Sequence, residues 1–160
     1  MDNIKVIKNF LSKEECSLLI SEAIEHNTWL IKSSSDLVKM YKSKNHNLII
    51  DINKRVSALF DKSLHTQIIQ FIYKTDKDSY WEKHKDTDSN INGIISYGVI
   101  IYLNEDFEGG LLEYPELDFS IKPESGMLVY HTSDVEHQVS KVISGDRYTL
   151  TSFIRKAKSK

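Results

Sequence analysis

The chain has 160 residues, 40% hydrophobic, 28% charged and 10% aromatic, with a formal net charge of −2. That length suits one domain with a proper core and not two, and the charge excludes a nucleic-acid binder or membrane-surface binder that works by bulk basicity. No apolar run approaches the ~18–20 residues of a membrane span, and the start MDNIKVIKNF lacks the apolar centre of a secretory signal, so a cytoplasmic protein with no membrane partner is expected.

The chain opens with a short extended run and then a helix. Ser12-Lys13-Glu14-Glu15 has the capping-box pattern S-x-x-E. Cys16, Leu19, Ile20, Ala23 and Ile24 follow at helical spacing, which predicts a helix over about 13–26. Cys16 lies on that apolar stripe and reads as core. It is the only cysteine, so a disulfide framework and a cysteine zinc cluster are both excluded. Any metal site must then use His and carboxylate. Residues 33–47 are polar and weakly periodic and read as an exposed loop. Ile49, Ile52, Val56, Leu59 and Phe60 predict a second helix over about 47–62.

From residue 66 the texture changes to short runs rich in Ile, Val, Tyr, Phe and Thr. Turn residues such as Asn92-Gly93, Gly109-Gly110, Pro115, Pro123 and Ser144-Gly145-Asp146 separate them. Seven or eight short strands with no helical pattern between them predict an all-β sandwich or barrel. The expected architecture is one domain over 1–160. A helical N-terminal part would span about 1–65 and a β core about 66–155.

Six histidines occur: His26, His46, His65, His84, His131 and His137. The first three read as surface or capping residues. His84-Lys85-Asp86 differs, because residues i and i+2 of an extended segment point to one face. An imidazole and a carboxylate there supply two ligands, and a third His would complete a face that suits Fe(II). With 6 His and 12 Asp in the chain, one such pair is close to chance, so its partners decide its meaning. In DVEHQVSKV, alternation places His137 on the apolar face with Val135 and Val139. His131, sharing a face with Met127 and Val129, competes for the same role. Among 21 basic residues only Arg55, Arg147 and Arg155 are arginines. Arg147 opens a strand whose same face carries Thr149, Thr151 and Phe153. A buried Arg there requires an anion, either an internal carboxylate or the carboxylate of a ligand, and Thr149 could add a hydroxyl hydrogen bond.

His84-x-Asp86, then His137 about fifty residues on, then Arg147 ten residues later, together resemble the 2-oxoglutarate- and Fe(II)-dependent dioxygenases, in particular the prolyl 4-hydroxylase-like branch. YLNEDFEGGLLEYPE (102–116) and PESGMLVYHTSDVEHQVSKVISGDRYTLTSFIR (123–155) extend the likeness, which covers about residues 66–155. The resemblance implies a mainly β fold with N-terminal helices, a double-stranded β-helix (the cupin-like jelly roll). It implies His84, Asp86 and His137 as iron ligands and Arg147 as the partner of the distal carboxylate of 2-oxoglutarate. The family also uses a tyrosine hydroxyl near this cosubstrate, and Tyr73 and Tyr102 are the two positions that could match, with Tyr73 favoured. The implied reaction uses Fe(II), 2-oxoglutarate and O₂, with ascorbate as reductant. It couples decarboxylation to succinate with hydroxylation of a substrate, expected to be peptidyl proline in a peptide or protein. Retention of Asp86 favours hydroxylation over halogenation. Tyr80 and Trp81 are candidate substrate contacts, and loops 33–47 and 87–93 are candidate lids. The alternatives are another oxygenase of the superfamily, acting on a free amino acid or as a nucleic-acid demethylase, and a non-enzymatic jelly-roll binding module. The demethylase pattern has a second Arg six residues after the first. Here the interval from Arg147 to Arg155 is eight.

Overall fold

The computed structural model describes residues 2–31, 38–89 and 94–157. Strand β1 (Ile4–Ile7) leads into helix α1 (Lys13–His26), whose capping box forms as expected: Glu15 N donates to Ser12 Oγ, and Ser12 N donates to Glu15 Oε1. The helix ends at Asn27, which takes the left-handed conformation that stops an α-helix. Strands β2 (Leu30–Ile31) and β3 (Val38–Lys42) follow. Part of the expected loop 33–47 is therefore strand. Val38 and Tyr41 are buried while β3 pairs in register with a central strand, Val38 opposite Thr75. Long-range pairing thus overrides the polar composition. Residues 32–37 lie outside the described residues.

Helix α2 (His46–Ser57) is capped by Asn45, whose side chain accepts from Leu48 N. It stops short of the expected residue 62, although Leu59 and Phe60 still pack against the core from the turn that follows. Arg55 ties the two helices together. It pairs with Glu15 at 2.9 Å and donates to the Phe10 carbonyl.

The remaining strands are β4 (Leu64–Thr66), β5 (Phe71–Thr75), β6 (Trp81–His84), β7 (Ile95–Tyr102), β8 (Glu108–Gly109), β9 (Leu112–Tyr114) and β10 (Phe119–Ile121). They continue with β11 (Leu128–Thr132), β12 (His137–Val139), β13 (Val142–Ser144) and β14 (Arg147–Lys156). The larger sheet has the order β1-β11-β7-β14-β5-β3-β2, with β4 paired to the far end of β14. The smaller has the order β10-β9-β12-β6, and β13 pairs with β8. All pairings are antiparallel. This is the double-stranded β-helix.

Period-2 alternation gives the larger sheet two different faces. Val99, Ile101, Leu128, Tyr148 and Leu150 look outward and pack under the helices with Leu19, Ala23, Ile52 and Val56. Tyr102 and Val129 look inward and join Leu112, Tyr114, Ile121 and Val139 of the smaller sheet. The helices brace one face of the larger sheet, and the other face is left to line a cavity.

Candidate functional site

The cavity lies between the two sheets, about 370 Å³ in volume, and is walled by β5, β7 and β14 on one side and by β6 and β12 on the other. His84 ends β6, and His137 stands directly opposite it in β12. Their rings are 4.4 Å apart between centroids. Asp86 is not on the same extended strand as His84. It opens a 3-10 helix, Asp86–Ser89, and this turn swings its carboxylate back toward the histidine pair. One oxygen, Oδ1, lies 3.6 Å from His84 Nε2 and 3.5 Å from His137 Nε2. One ligand atom from each of the three residues fits within 4.8 Å of the others.

The electronic state of these groups suits a cation. His84 Nδ1–H donates to the Glu82 carbonyl at 2.7 Å, and His137 Nδ1–H donates to the Val135 carbonyl at 3.0 Å. A carbonyl can only accept, so each Nδ1 carries a proton, and each Nε2 is left facing Asp86 Oδ1. Burial, reinforced by the neighbouring His131, pushes the His137 pKa down to about 4, so the ring is neutral near pH 7. Burial would raise the pKa of Asp86, but hydrogen bonds from His131 and His84 outweigh it, and the carboxyl is held well below the usual range. Two imidazoles and one carboxylate, open toward a cavity, are the donor set of a non-haem Fe(II) site.

Arg147 marks the inner end of the cavity. Asn104 shapes the turn that delivers it: its side chain donates to the Asp146 carbonyl and to Asp106, and accepts from Tyr148 N. The Arg147 side chain is buried, with 3% of the residue exposed. Its guanidinium lies over the Tyr102 ring at 5.2 Å, and Nη2 donates to Tyr102 Oη at a long 3.5 Å. Nε has no hydrogen-bond partner, and no carboxylate of the described residues pairs with the group. The other two arginines are satisfied, Arg55 by Glu15 and Asp51, and Arg155 by Gln67. Thr75, which faces Arg147 in register, is fully buried with an unpartnered Oγ1. A buried cation without an anion is costly, and the arrangement fits a site that takes a carboxylate ligand.

Thr149 stands two residues further along β14, with Tyr73 opposite it on one side and Tyr102 on the other. Tyr73, Thr149 and Trp81 line the cavity. Tyr102 is fully buried behind the guanidinium. Tyr80 is half exposed and is not among the lining residues. Toward the mouth the walls are Phe71, Phe153, Gln67, Ile68 and Gln70. Residues 90–93, part of the expected lid 87–93, lie outside the described residues. Three neighbours of the site were not predicted to have a role there: Gly98, Thr75 and Tyr114. Gly98 interrupts an eight-residue apolar strand, which is the sequence signal of a close approach.

The family model of the 2OG-Fe(II) oxygenase superfamily matches residues 69–155. The chain belongs to this superfamily. It is a 2-oxoglutarate- and Fe(II)-dependent oxygenase, and the donor set and the unpaired arginine fit those two groups. No curated protein matches the sequence. Among solved structures, a viral collagen prolyl hydroxylase from Paramecium Bursaria Chlorella virus-1, in complex with 2OG, is similar. It has a TM-score of 0.75 and 21% identity, over 98% of this chain and 97% of that one. A prolyl-4-hydroxylase from Pseudomonas putida gives a TM-score of 0.73 at 15% identity, over 98% and 94%. A Trichoplax adhaerens prolyl hydroxylase in complex with a hypoxia inducible factor peptide fragment gives 0.72 at 14%, over 98% and 84%. These likenesses show a shared fold.

Proposed function

We propose that this oxygenase is a prolyl 4-hydroxylase acting on peptidyl proline, with His84, Asp86 and His137 holding Fe(II) and Arg147 binding the distal carboxylate of 2-oxoglutarate. The observation that carries the proposal is the buried guanidinium, paired with no carboxylate of the described residues, at the inner end of the cavity into which the His84, Asp86 and His137 donors converge. When bound, iron and its cosubstrate supply the oxidising power that hydroxylates a C–H bond with O₂, while 2-oxoglutarate loses CO₂ to become succinate. Ascorbate as reductant belongs to the same reading.

The residues of this chain set the geometry. The imidazoles of His84 and His137 and Asp86 Oδ1 would hold the ion at the wall of the cavity. Arg147 offers a planar fork suited to two-point carboxylate recognition. Thr149 and Tyr73 line the same wall and add hydroxyl groups, while Tyr102 steadies the guanidinium from behind. Phe71 and Phe153 narrow the outer part and exclude water. Trp81 offers a flat face beside His84 for a prolyl ring, and Tyr80 would meet the flanking peptide outside. Apart from Arg147, the described residues that line the cavity include no lysine or arginine. That neutral, partly aromatic mouth supports a peptide substrate over a nucleic acid. The structural likeness to three prolyl hydroxylases, one of them with a peptide bound, supports the same choice.

Anaerobic titration of the protein with Fe(II) and 2-oxoglutarate should develop a visible metal-to-ligand charge-transfer band, lost in His137→Ala. A wild type without the band, or an undiminished band in His137→Ala, removes the site assignment. Substrate is tested by succinate release and by mass spectrometry for the gain of one oxygen atom. Proline-containing peptides should stimulate both, and stimulation by methylated DNA alone would replace the proposal with a demethylase.

A further inference from the structure

We propose that His131 is a positioning residue that holds the second oxygen of Asp86, so that the carboxylate presents a single oxygen to the metal. The inference rests on the metal site proposed above. The two oxygens of Asp86 have separate surroundings. Oδ1 faces His84 and His137, whereas Oδ2 lies 2.9 Å from His131 Nε2. His131 is 1% exposed and stands in β11 directly opposite Gly98 of β7. A Cβ at position 98 would lie 2.2 Å from Asp86 Oδ2 and 2.8 Å from His131 Nε2. The missing side chain at Gly98 is therefore the slot in which this hydrogen bond is made.

A second contact orients the imidazole. Tyr114 Oη lies 2.9 Å from His131 Nδ1, and Tyr114 is fully buried. Ionised Asp86 can only accept, so His131 Nε2 carries the proton and donates to Oδ2. His131 Nδ1 on the other side of the ring shares the hydrogen bond with the Tyr114 hydroxyl. Burial, together with the nearby Tyr102 and Asp86, pushes the Tyr114 pKa far up, so that hydroxyl keeps its proton. Tyr114, His131 and Asp86 thus form a continuous chain from β9 through β11 to the 3-10 helix, with its two hydrogen bonds buried. Turning the carboxylate to offer both oxygens to an ion would break the 2.9 Å bond. His131 itself falls outside the cluster of three whose ligand atoms converge. Its place is behind the carboxylate, as the outer partner that fixes a ligating group.

The test uses Mn(II) as the probe and reads binding rather than turnover. Free Mn(II) is counted by electron paramagnetic resonance against wild type, His131→Gln, His131→Asn and Tyr114→Phe, with thermal melting to confirm that each is folded. A glutamine amide reaches the Nε2 position, whereas an asparagine amide stops at Nδ1. His131→Asn should weaken Mn(II) binding by about 10–100-fold, with His131→Gln staying within roughly threefold of wild type. Tyr114→Phe, which removes only a hydroxyl and is the variant surest to fold, should weaken it by roughly 3–10-fold. Wild-type affinity in both His131→Asn and Tyr114→Phe overturns the inference, as does equal loss in Gln and Asn variants, which would make His131 a direct ligand. A wild type that binds no Mn(II) defeats the metal site itself, and the inference falls with it.

Discussion

Arg147 and His137 lead to the predictions at the scale of single residues. A guanidinium buried without a counter-ion costs stability until a ligand supplies the charge. Arg147→Met should therefore melt about 2–4 °C higher than wild type when no ligand is present, the equivalent of about 1 kcal/mol in a chain of this size. The same substitution should weaken 2-oxoglutarate binding by about 10–100-fold in calorimetry of the Mn(II)-loaded protein, the worth of a charge-assisted hydrogen bond. If Arg147→Met binds 2-oxoglutarate normally, the assignment of the cosubstrate carboxylate is wrong. His137 governs the acid side. Its pKa falls from 6.5 to about 4 on folding, so between those values the unfolded chain binds the extra proton. Stability is then retained above pH 6.5 and lost as pH drops toward 4, by about 3 kcal/mol in the metal-free protein. Urea unfolding at pH 7, 5.5 and 4.5 would show the slope, and His137→Gln should flatten it.

At the scale of elements, strand β7 makes a sharp prediction. Gly98→Ala places a methyl group where Asp86 Oδ2 and the His131 ring already sit. Overpacking of this kind costs about 1–3 kcal/mol, and here the carboxylate must move with it. Gly98→Ala should remain folded by circular dichroism but bind Mn(II) at least ~10-fold more weakly. An unchanged affinity would mean that the slot can relax. The elements also show what the sequence could reveal. Helix α1 was legible to the residue because its capping box and apolar stripe are local signals. The strands after residue 66 were legible from alternation and turns. Strand β3 was not, since only its partner β5 explains Val38 and Tyr41. His84, Asp86, His137 and Arg147 stood out through spacing and family likeness. The place of His131 behind Asp86 did not, because it depends on the register that sets His131 opposite Gly98 and on a hydrogen bond between residues 45 apart in sequence.

At the scale of the whole molecule, the cavity and the core share one set of strands. The strands that line the site on their inner face anchor α1 and α2 on the outer face. Ligands that bind only the folded state should therefore report on global stability. Mn(II) with 2-oxoglutarate at about 100 times its dissociation constant should add ~2.7 kcal/mol, a rise of about 5–10 °C in Tm. In Arg147→Met the part due to 2-oxoglutarate should shrink to about 0.4–1.4 kcal/mol and the part due to metal should persist. No helix among the described residues is long and apolar enough to cross a membrane.

Strand β14 runs for ten residues, with Arg147, Thr149 and Thr151 on one side and Tyr148, Leu150 and Ser152 on the other. Its phase is set by a turn of fixed length, where Gly145 has φ +77° and an added Cβ would lie 2.8 Å from the Asp106 carbonyl. Because the side-chain period is two, inserting or deleting one residue at Ser144–Asp146 would exchange the two sides completely. The guanidinium would then point beneath the helices, and Tyr148 and Leu150 would crowd the cavity. Point substitutions in this turn can therefore erode the enzyme by degrees, whereas a single-codon indel should abolish folding and cosubstrate binding in one step.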